Sequence, residues 1–159
     1  MGTIFFKSPV GILKIESSDL GIKSITLCDD ISNETPDEYC TNAKIQLEEY
    51  FQGKRKIFSI PLDPHGTDFE KSVWKNLKTI PYGTTTNYGA IAREISTIKA
   101  VRAVGRANGK NPIPIIIPCH RVVGKDKSLI GFALGLRVKQ FLLNLENPDS
   151  WPIQAKLDL

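Results

Sequence analysis

Short apolar runs split by turn residues open the chain, and apolar residues at helical spacing fill most of the remainder. Thr3-Ile4-Phe5-Phe6 and Ile12-Leu13-Lys14-Ile15 are β-rich and are separated by Ser8-Pro9-Val10-Gly11, a turn signal. Leu20-Gly21 precedes a third run, Ile22 to Leu27, with Ile25 and Leu27 on alternate positions. The three runs predict a small meander. Polar, acidic residues 29–38 read as a loop. From Tyr39 to Phe51, Ala43, Leu47, Tyr50 and Phe51 fall at helical spacing, and Gly53 closes the helix. Lys56 to Leu62 reads as a further extended piece. The breaker-rich segment Pro61-Leu62-Asp63-Pro64-His65-Gly66 sets a domain boundary, giving residues 1–64 and 65–159.

The second part is mainly helical, so the fold class is α+β. Thr67 or Asp68 caps a helix whose face carries Phe69, Val73, Trp74 and Leu77, and Pro81-Tyr82-Gly83 ends it. Thr86 or Asn87 caps a short helix, Tyr88 to Ile95, and Ser96-Thr97 opens another from Ile98 to Asn108. Two short helices joined by a tight turn match a helix-turn-helix pattern. Lys99, Arg102 and Arg106 form one basic stripe on the second of them. Such a stripe suits DNA contact and suits a solvated helix face equally well. Residues 135–145 predict a last amphipathic helix through Leu136, Val138, Phe141, Leu142 and Leu145.

Composition narrows the class. The 41% hydrophobic and 24% charged residues are those of a soluble globular protein, and no apolar run approaches the roughly 18 residues of a membrane span. The start lacks a signal peptide's basic and apolar regions, so a cytoplasmic location and no membrane partner are expected. Cys28, Cys40 and Cys119 lack the spacing of a disulfide framework or a zinc site, so no metal is expected. Residues 1–64 carry 7 Lys/Arg against 10 Asp/Glu, and residues 65–159 carry 14 against 7, so the net +4 divides as −3 and +7. The positive field of the second part raises the prospect of a polyanionic partner.

The chemistry concentrates in Asn111-Pro112-Ile113-Pro114-Ile115-Ile116-Ile117-Pro118-Cys119-His120-Arg121-Val122-Val123. Three prolines restrain the approach, and the apolar run requires burial. Pro118 suits the first turn of a helix, which sets Cys119 near a helix N-terminus, where a thiol pKa falls. His120 offers a base and Arg121 adds positive potential. A buried structural cysteine beside a histidine fits the same residues. Adjacent side chains diverge on a strand or helix, so a bridging water would have to connect Cys119 and His120. Glu146, at the end of the final helix, is the candidate carboxylate to hold the imidazole.

Pro118-Cys119-His120-Arg121-Val122 resembles the acceptor motif of the O6-alkylguanine-DNA alkyltransferases. The likeness extends through Phe69 to Trp74, Ile80-Pro81-Tyr82-Gly83, Tyr88, Arg102-Ala103-Val104-Gly105, Asn111-Pro112 and Gly131-Phe132 to Leu143. It implies a ribonuclease-H-like N-terminal domain, a winged helix-turn-helix-like C-terminal domain, and a monomer that acts on double-stranded DNA without a cofactor. Cys119 would attack the alkyl carbon, His120 would take the thiol proton through water, and Glu146 would orient it. Tyr88 would donate to N3 of the leaving guanine, and Asn111 would brace the turn. Arg102 would fill the gap left by the flipped nucleotide, with Ala103, Lys99, Arg106 and Arg121 also at the DNA. Backbone groups of Cys119, Val122 and Ala133 would read the base.

Leu134 stands where most members have Gly, which narrows the expected pocket for bulky alkyl groups; Ala133 stands where some have Ser. Three other readings compete. A lesion sensor without transfer is disfavoured because Cys119 is present. A cysteine hydrolase needs an oxyanion hole and a signature that the Cys119 segment lacks. A winged-helix regulator would be indifferent to Cys119→Ala.

Overall fold

The computed structural model describes residues 1–124, 132 and 134–148. Two compact units divide the chain, Met1–His65 and Gly66–Leu159. In the first, β1 (Gly2–Ser8), β2 (Gly11–Ser17) and β3 (Ile22–Cys28) form an antiparallel sheet in that order. Ile4 faces Ile15 and Phe6 faces Leu13 across β1 and β2. Helix α1 (Glu38–Phe51) packs on the sheet and buries Cys40, Ala43, Leu47 and Tyr50, the spacing of one helical face. Asp37 caps it, accepting from the Cys40 N–H at 2.8 Å.

Two local expectations fail here. A bulge at Glu16/Ser17 shifts the β2–β3 register, and Ile22 and Ile25 rather than Ile25 and Leu27 become the buried pair. Leu27 is half-exposed beside Gly11 at the end of the sheet. The piece from Lys56 to Leu62 is not a strand; it meets the sheet at one bridge, Ile22 to Leu62. The Ile22 N–H donates to the Pro61 carbonyl at 2.9 Å and the Asp63 N–H to the Ile22 carbonyl at 2.7 Å. Gly21 permits this, since a Cβ there would collide with the Pro61 carbonyl.

The second unit begins with α2 (Asp68–Leu77), started by a full capping box between Thr67 and Glu70. Its Val73, Trp74 and Leu77 are buried, and Trp74 Nε1 donates to the Ala107 carbonyl at 2.8 Å. Asn87 caps α3 (Tyr88–Ile95), accepting from the Ala90 N–H at 2.9 Å. The next helix starts later than the sequence pattern predicts: Ile98–Ala100 form a 3-10 turn, and α4 spans Val101–Gly109. Helices α2, α3 and α4 pack on one another through Val73, Trp74, Ile91, Ala92, Val104 and Ala107. Strands β4 (Thr86–Asn87) and β5 (Val122–Val123) pair in parallel and tie the start of α3 to the segment after Cys119.

The last helix, α5 (Leu136–Glu146), turns a different face inward from the one expected. Lys139, Gln140, Leu142, Leu143 and Glu146 are buried, whereas Leu136 and Phe141 are exposed. Polar groups of that face find partners inside, which an apolar-face reading does not anticipate. Among the described residues no helix is long and apolar enough to cross a membrane.

Candidate active site

A tight, internally braced loop delivers Cys119. Asn111 Oδ1 accepts from the Ile113 N–H at 3.0 Å and its Nδ2 donates to the Ile117 carbonyl at 2.8 Å, so one amide clamps both ends. Between them the Ile117 N–H donates to the Ile113 carbonyl at 2.9 Å, and Ile115 takes a φ of 77°. A β-branched residue in that region is strained, by about 1–3 kcal/mol. Buried Ile113, Ile115, Ile116 and Ile117 anchor the loop against that strain. Pro118, at φ −80° and ψ 64°, forms an inverse γ-turn in which the Cys119 N–H donates to the Ile117 carbonyl at 2.8 Å.

Cys119 is fully buried, and burial pushes its thiol up to about 11, although Asn111 and Lys139 pull it down. The expected helix N-terminus is a three-residue 3-10 turn, Cys119–Arg121, too short to offset the desolvation. Arg121 does not lend the thiolate its charge either. It is buried, with Nε and Nη2 donating to Glu146 at 2.8 and 3.0 Å and Nη1 donating to the Ile80 carbonyl at 2.7 Å. Those bonds hold its guanidinium in the interior.

His120 Nε2 lies 2.6 Å from Glu146 Oε2, both side chains essentially unexposed. The Gly83 N–H adds a fourth donor at 3.1 Å to Glu146 Oε1. Gly83 has a φ of 78°, and a Cβ there would press on the Glu146 carbonyl at 3.2 Å, so glycine suits this approach. Burial alone would raise the Glu146 carboxyl, yet the bonds and charges of His120 and Arg121 hold it well below the usual range. Burial lowers the His120 pKa against the pull of Glu146, so the resting imidazole is neutral. With Nε2 donating to the carboxylate, Nδ1 is the acceptor nitrogen, and it is buried without a hydrogen-bond partner among the described residues.

Tyr88 starts α3, and burial together with the Cys119 charge raises its pKa. Arg102 and Arg106 on α4, with Lys99 just before it, are exposed, and Ala103 is half-buried. Val122 is buried and its carbonyl accepts from Lys139 Nζ at 2.6 Å. Ala133 lies outside the described residues. Leu134 is half-buried.

Sequence reasoning missed Lys139 and Asn108. Lys139 is fully buried, and burial pushes its ammonium down to about 8 against the opposing pull of Cys119. The signal was available, because Lys139, Leu142, Leu143 and Glu146 stand at i, i+3, i+4 and i+7, so an inward Glu146 implies an inward Lys139. Asn108 stands four residues after buried Val104 and so shares the apolar face of α4.

Residues 68–148 match the 6-O-methylguanine DNA methyltransferase DNA-binding domain, and residues 2–64 match the ribonuclease-like domain of the same family. A methylated-DNA–protein-cysteine methyltransferase of Methanosarcina acetivorans is 47% identical over 148 residues, covering 89% of this chain and 95% of that protein. Its counterpart from Haemophilus influenzae is 46% identical over 150 residues, covering 89% and 84%. The crystal structure of Mycobacterium tuberculosis OGT in complex with DNA superposes with a TM-score of 0.80 at 44% identity, covering 91% of this chain and 90% of that one. An O6-methylguanine DNA methyltransferase from Methanococcus jannaschii gives 0.68 at 28% identity, covering 96% and 98%. With both units matched in order, the chain belongs to the 6-O-methylguanine DNA methyltransferase family.

Proposed function

We propose that this chain repairs DNA by moving the alkyl group of O6-alkylguanine onto its own Cys119, once per molecule. The observation that carries the reading is a fully buried thiol on a braced loop, next in sequence to an imidazole locked to a buried carboxylate. A pKa near 11 leaves the thiol protonated at neutral pH, four units from ionisation, or about 5 kcal/mol. A base must therefore act during transfer. His120 Nδ1, an acceptor without a hydrogen-bond partner among the described residues, takes that proton through a bridging water while Glu146 steadies the imidazolium.

The sulfur then displaces guanine O6 from the alkyl carbon, and the C–O electron pair passes to the base. Tyr88 donates to guanine N3 and Asn111 keeps the acceptor loop in place. A thioether offers no carbonyl to water, so Cys119 is not regenerated. The lesion is shielded inside a duplex, so the nucleotide is flipped out, with Arg102 filling the gap and Lys99 and Arg106 on the phosphates. Backbone groups at Cys119, Val122 and Ala133 read the base. We assign the N-terminal unit a bracing role and the whole chain a monomeric, cytoplasmic working state without a cofactor.

Intact-protein mass after incubation with duplex DNA carrying one O6-methylguanine tests this. One methyl per chain, mapped to Cys119 and absent from Cys119→Ser, is the expected result. Tight lesion binding with no gain in mass points to a sensor and overturns it. Arg102→Ala is expected to slow repair in duplex about tenfold or more while leaving reaction with free O6-methylguanine near its original rate. Equal losses on both substrates remove the flipping role.

A further inference from the structure

Lys139 is a buried cation without a role in the transfer scheme. It lies near the start of α5, fully buried, and its Nζ donates to the Val122 carbonyl at 2.6 Å. Two general rules oppose a lysine there. An ammonium loses its hydration when it is buried. The start of a helix also carries partial positive charge, which disfavours a cation close to it. A residue placed against both rules calls for a functional explanation.

That explanation lies in what the lysine holds. Lys139 shares its face of α5 with Glu146, and the helix packs on the turn Cys119–Arg121. Glu146 grips His120 and Arg121, and Lys139 grips the next residue, Val122. The Val122 N–H already donates to the Cys119 carbonyl, so the lysine bond fixes the other polar group of the same residue. A carbonyl oxygen has two lone pairs, and Lys139 takes one of them. The other can meet only a donor. Alkylation at O6 leaves guanine N1 without its hydrogen, so the 2-amino group is the donor that the base retains.

We propose that Lys139 is a positioning residue for substrate choice: holding the Val122 carbonyl in one direction, it lets that oxygen accept from the 2-amino group of the flipped O6-alkylguanine. The inference rests on the alkyl-transfer reading. Lys139 acts through the backbone of Val122, and no bond is made or broken at the lysine. A purine with the same methyl ether but no 2-amino group leaves the oxygen without its donor, and the site discriminates against it. Without the lysine the carbonyl is no longer held in one direction, and the discrimination fades.

The test compares two lesions in one duplex sequence, O6-methylguanine and O6-methylhypoxanthine, which lacks only the 2-amino group. Single-turnover transfer by the native chain is expected to favour O6-methylguanine about tenfold, the effect of one hydrogen bond left unmade. Lys139→Met keeps a long unbranched stem and removes the ammonium. In that variant transfer from O6-methylguanine is expected to fall about tenfold and transfer from O6-methylhypoxanthine no more than about twofold, so that the preference nearly vanishes. The melting temperature is expected to change little, because the lost hydrogen bond is offset by a charge no longer buried. Lys139→Gln, whose shorter stem draws its N–H back from the carbonyl, serves as the second variant should Met fail to pack, with the same loss of preference expected. A native chain without the preference, or a variant that keeps it while both rates fall together, would overturn the proposal and leave alkyl transfer standing. A native chain that takes up no methyl from either lesion overturns the alkyl-transfer reading, and this inference with it.

Discussion

Glu146→Gln is expected to lower stability by about 3–5 kcal/mol and to slow methyl transfer at least a hundredfold. Four donors converge on this one buried carboxylate: His120 Nε2, Arg121 Nε and Nη2, and the Gly83 N–H. Glutamine keeps the shape but turns half of the acceptor into a donor, facing groups that are already donors. The Arg121 guanidinium is then left buried without its counter-charge, which is the expensive part of breaking such a pair. At this chain length the loss corresponds to a fall of roughly 6–20 °C in melting temperature. Transfer suffers separately, because His120 loses both its orientation and the charge that supports an imidazolium. Calorimetry and single-turnover kinetics read the two effects. Glu146→Gln combined with Arg121→Met should recover much of the stability and none of the transfer. Recovery of both would show that the carboxylate only holds the fold together.

The second large effect is with pH. Transfer is expected to rise to a plateau below pH 6.5, the ordinary histidine value, because burial keeps His120 neutral into mildly acidic solution. The Cys119 thiol, at about 11, adds no inflection near neutrality. A rate that climbs tenfold per pH unit from 7 to 9 would mean that free thiolate, not a base-assisted thiol, is the nucleophile.

Stability follows the same groups. His120 and Glu146 both have folded pKa values below their unfolded ones, so their contributions are present above about 6.5 and 4.3 and are lost as pH falls. Acid therefore unfolds the site through two groups acting in the same direction. On the alkaline side Cys119 is raised from about 8.5 to about 11, so its contribution is complete below 8.5 and fades as pH climbs towards 11. Lys139, depressed to about 8, runs the opposite way, gaining between about 8 and 10.4, and the two partly cancel. Denaturant midpoints between pH 3 and 10 are expected to show a steep acid limb and a shallow alkaline one.

How far residues alone carried this picture depends on what each signal encodes. Thr67 with Glu70, and Asn87 before Tyr88, mark helix starts because capping is local chemistry, and both caps form. Pairing of His120 with Glu146 was readable through the likeness to known alkyltransferases, since 26 residues separate them and no local rule joins them. Arg121 shows the opposite case. A basic residue beside Cys119 reads as a source of positive field, yet the fold supplies it with a buried carboxylate. The bulge at Glu16/Ser17 escaped because period-two alternation assumes an unbroken ladder. Ile115 escaped because no apolar β-branched residue announces a positive φ. Lys139 escaped because lysine in a helix is read as solvated unless its neighbours at i+3 and i+7 are consulted.

A nucleophile that acts once has to survive until it is needed. Complete burial of Cys119 and a pKa near 11 leave on the order of one thiolate in ten thousand at pH 7. Peroxide and stray electrophiles attack thiolates that they can reach, so the resting protein presents them with almost nothing. Half-exposed Cys28 meets such reagents first, at no cost to repair capacity. The burial that makes the thiol hard to ionise thus sets the storage life of the molecule: slow chemistry while waiting, and reaction only once a damaged base brings its own carbon to the sulfur.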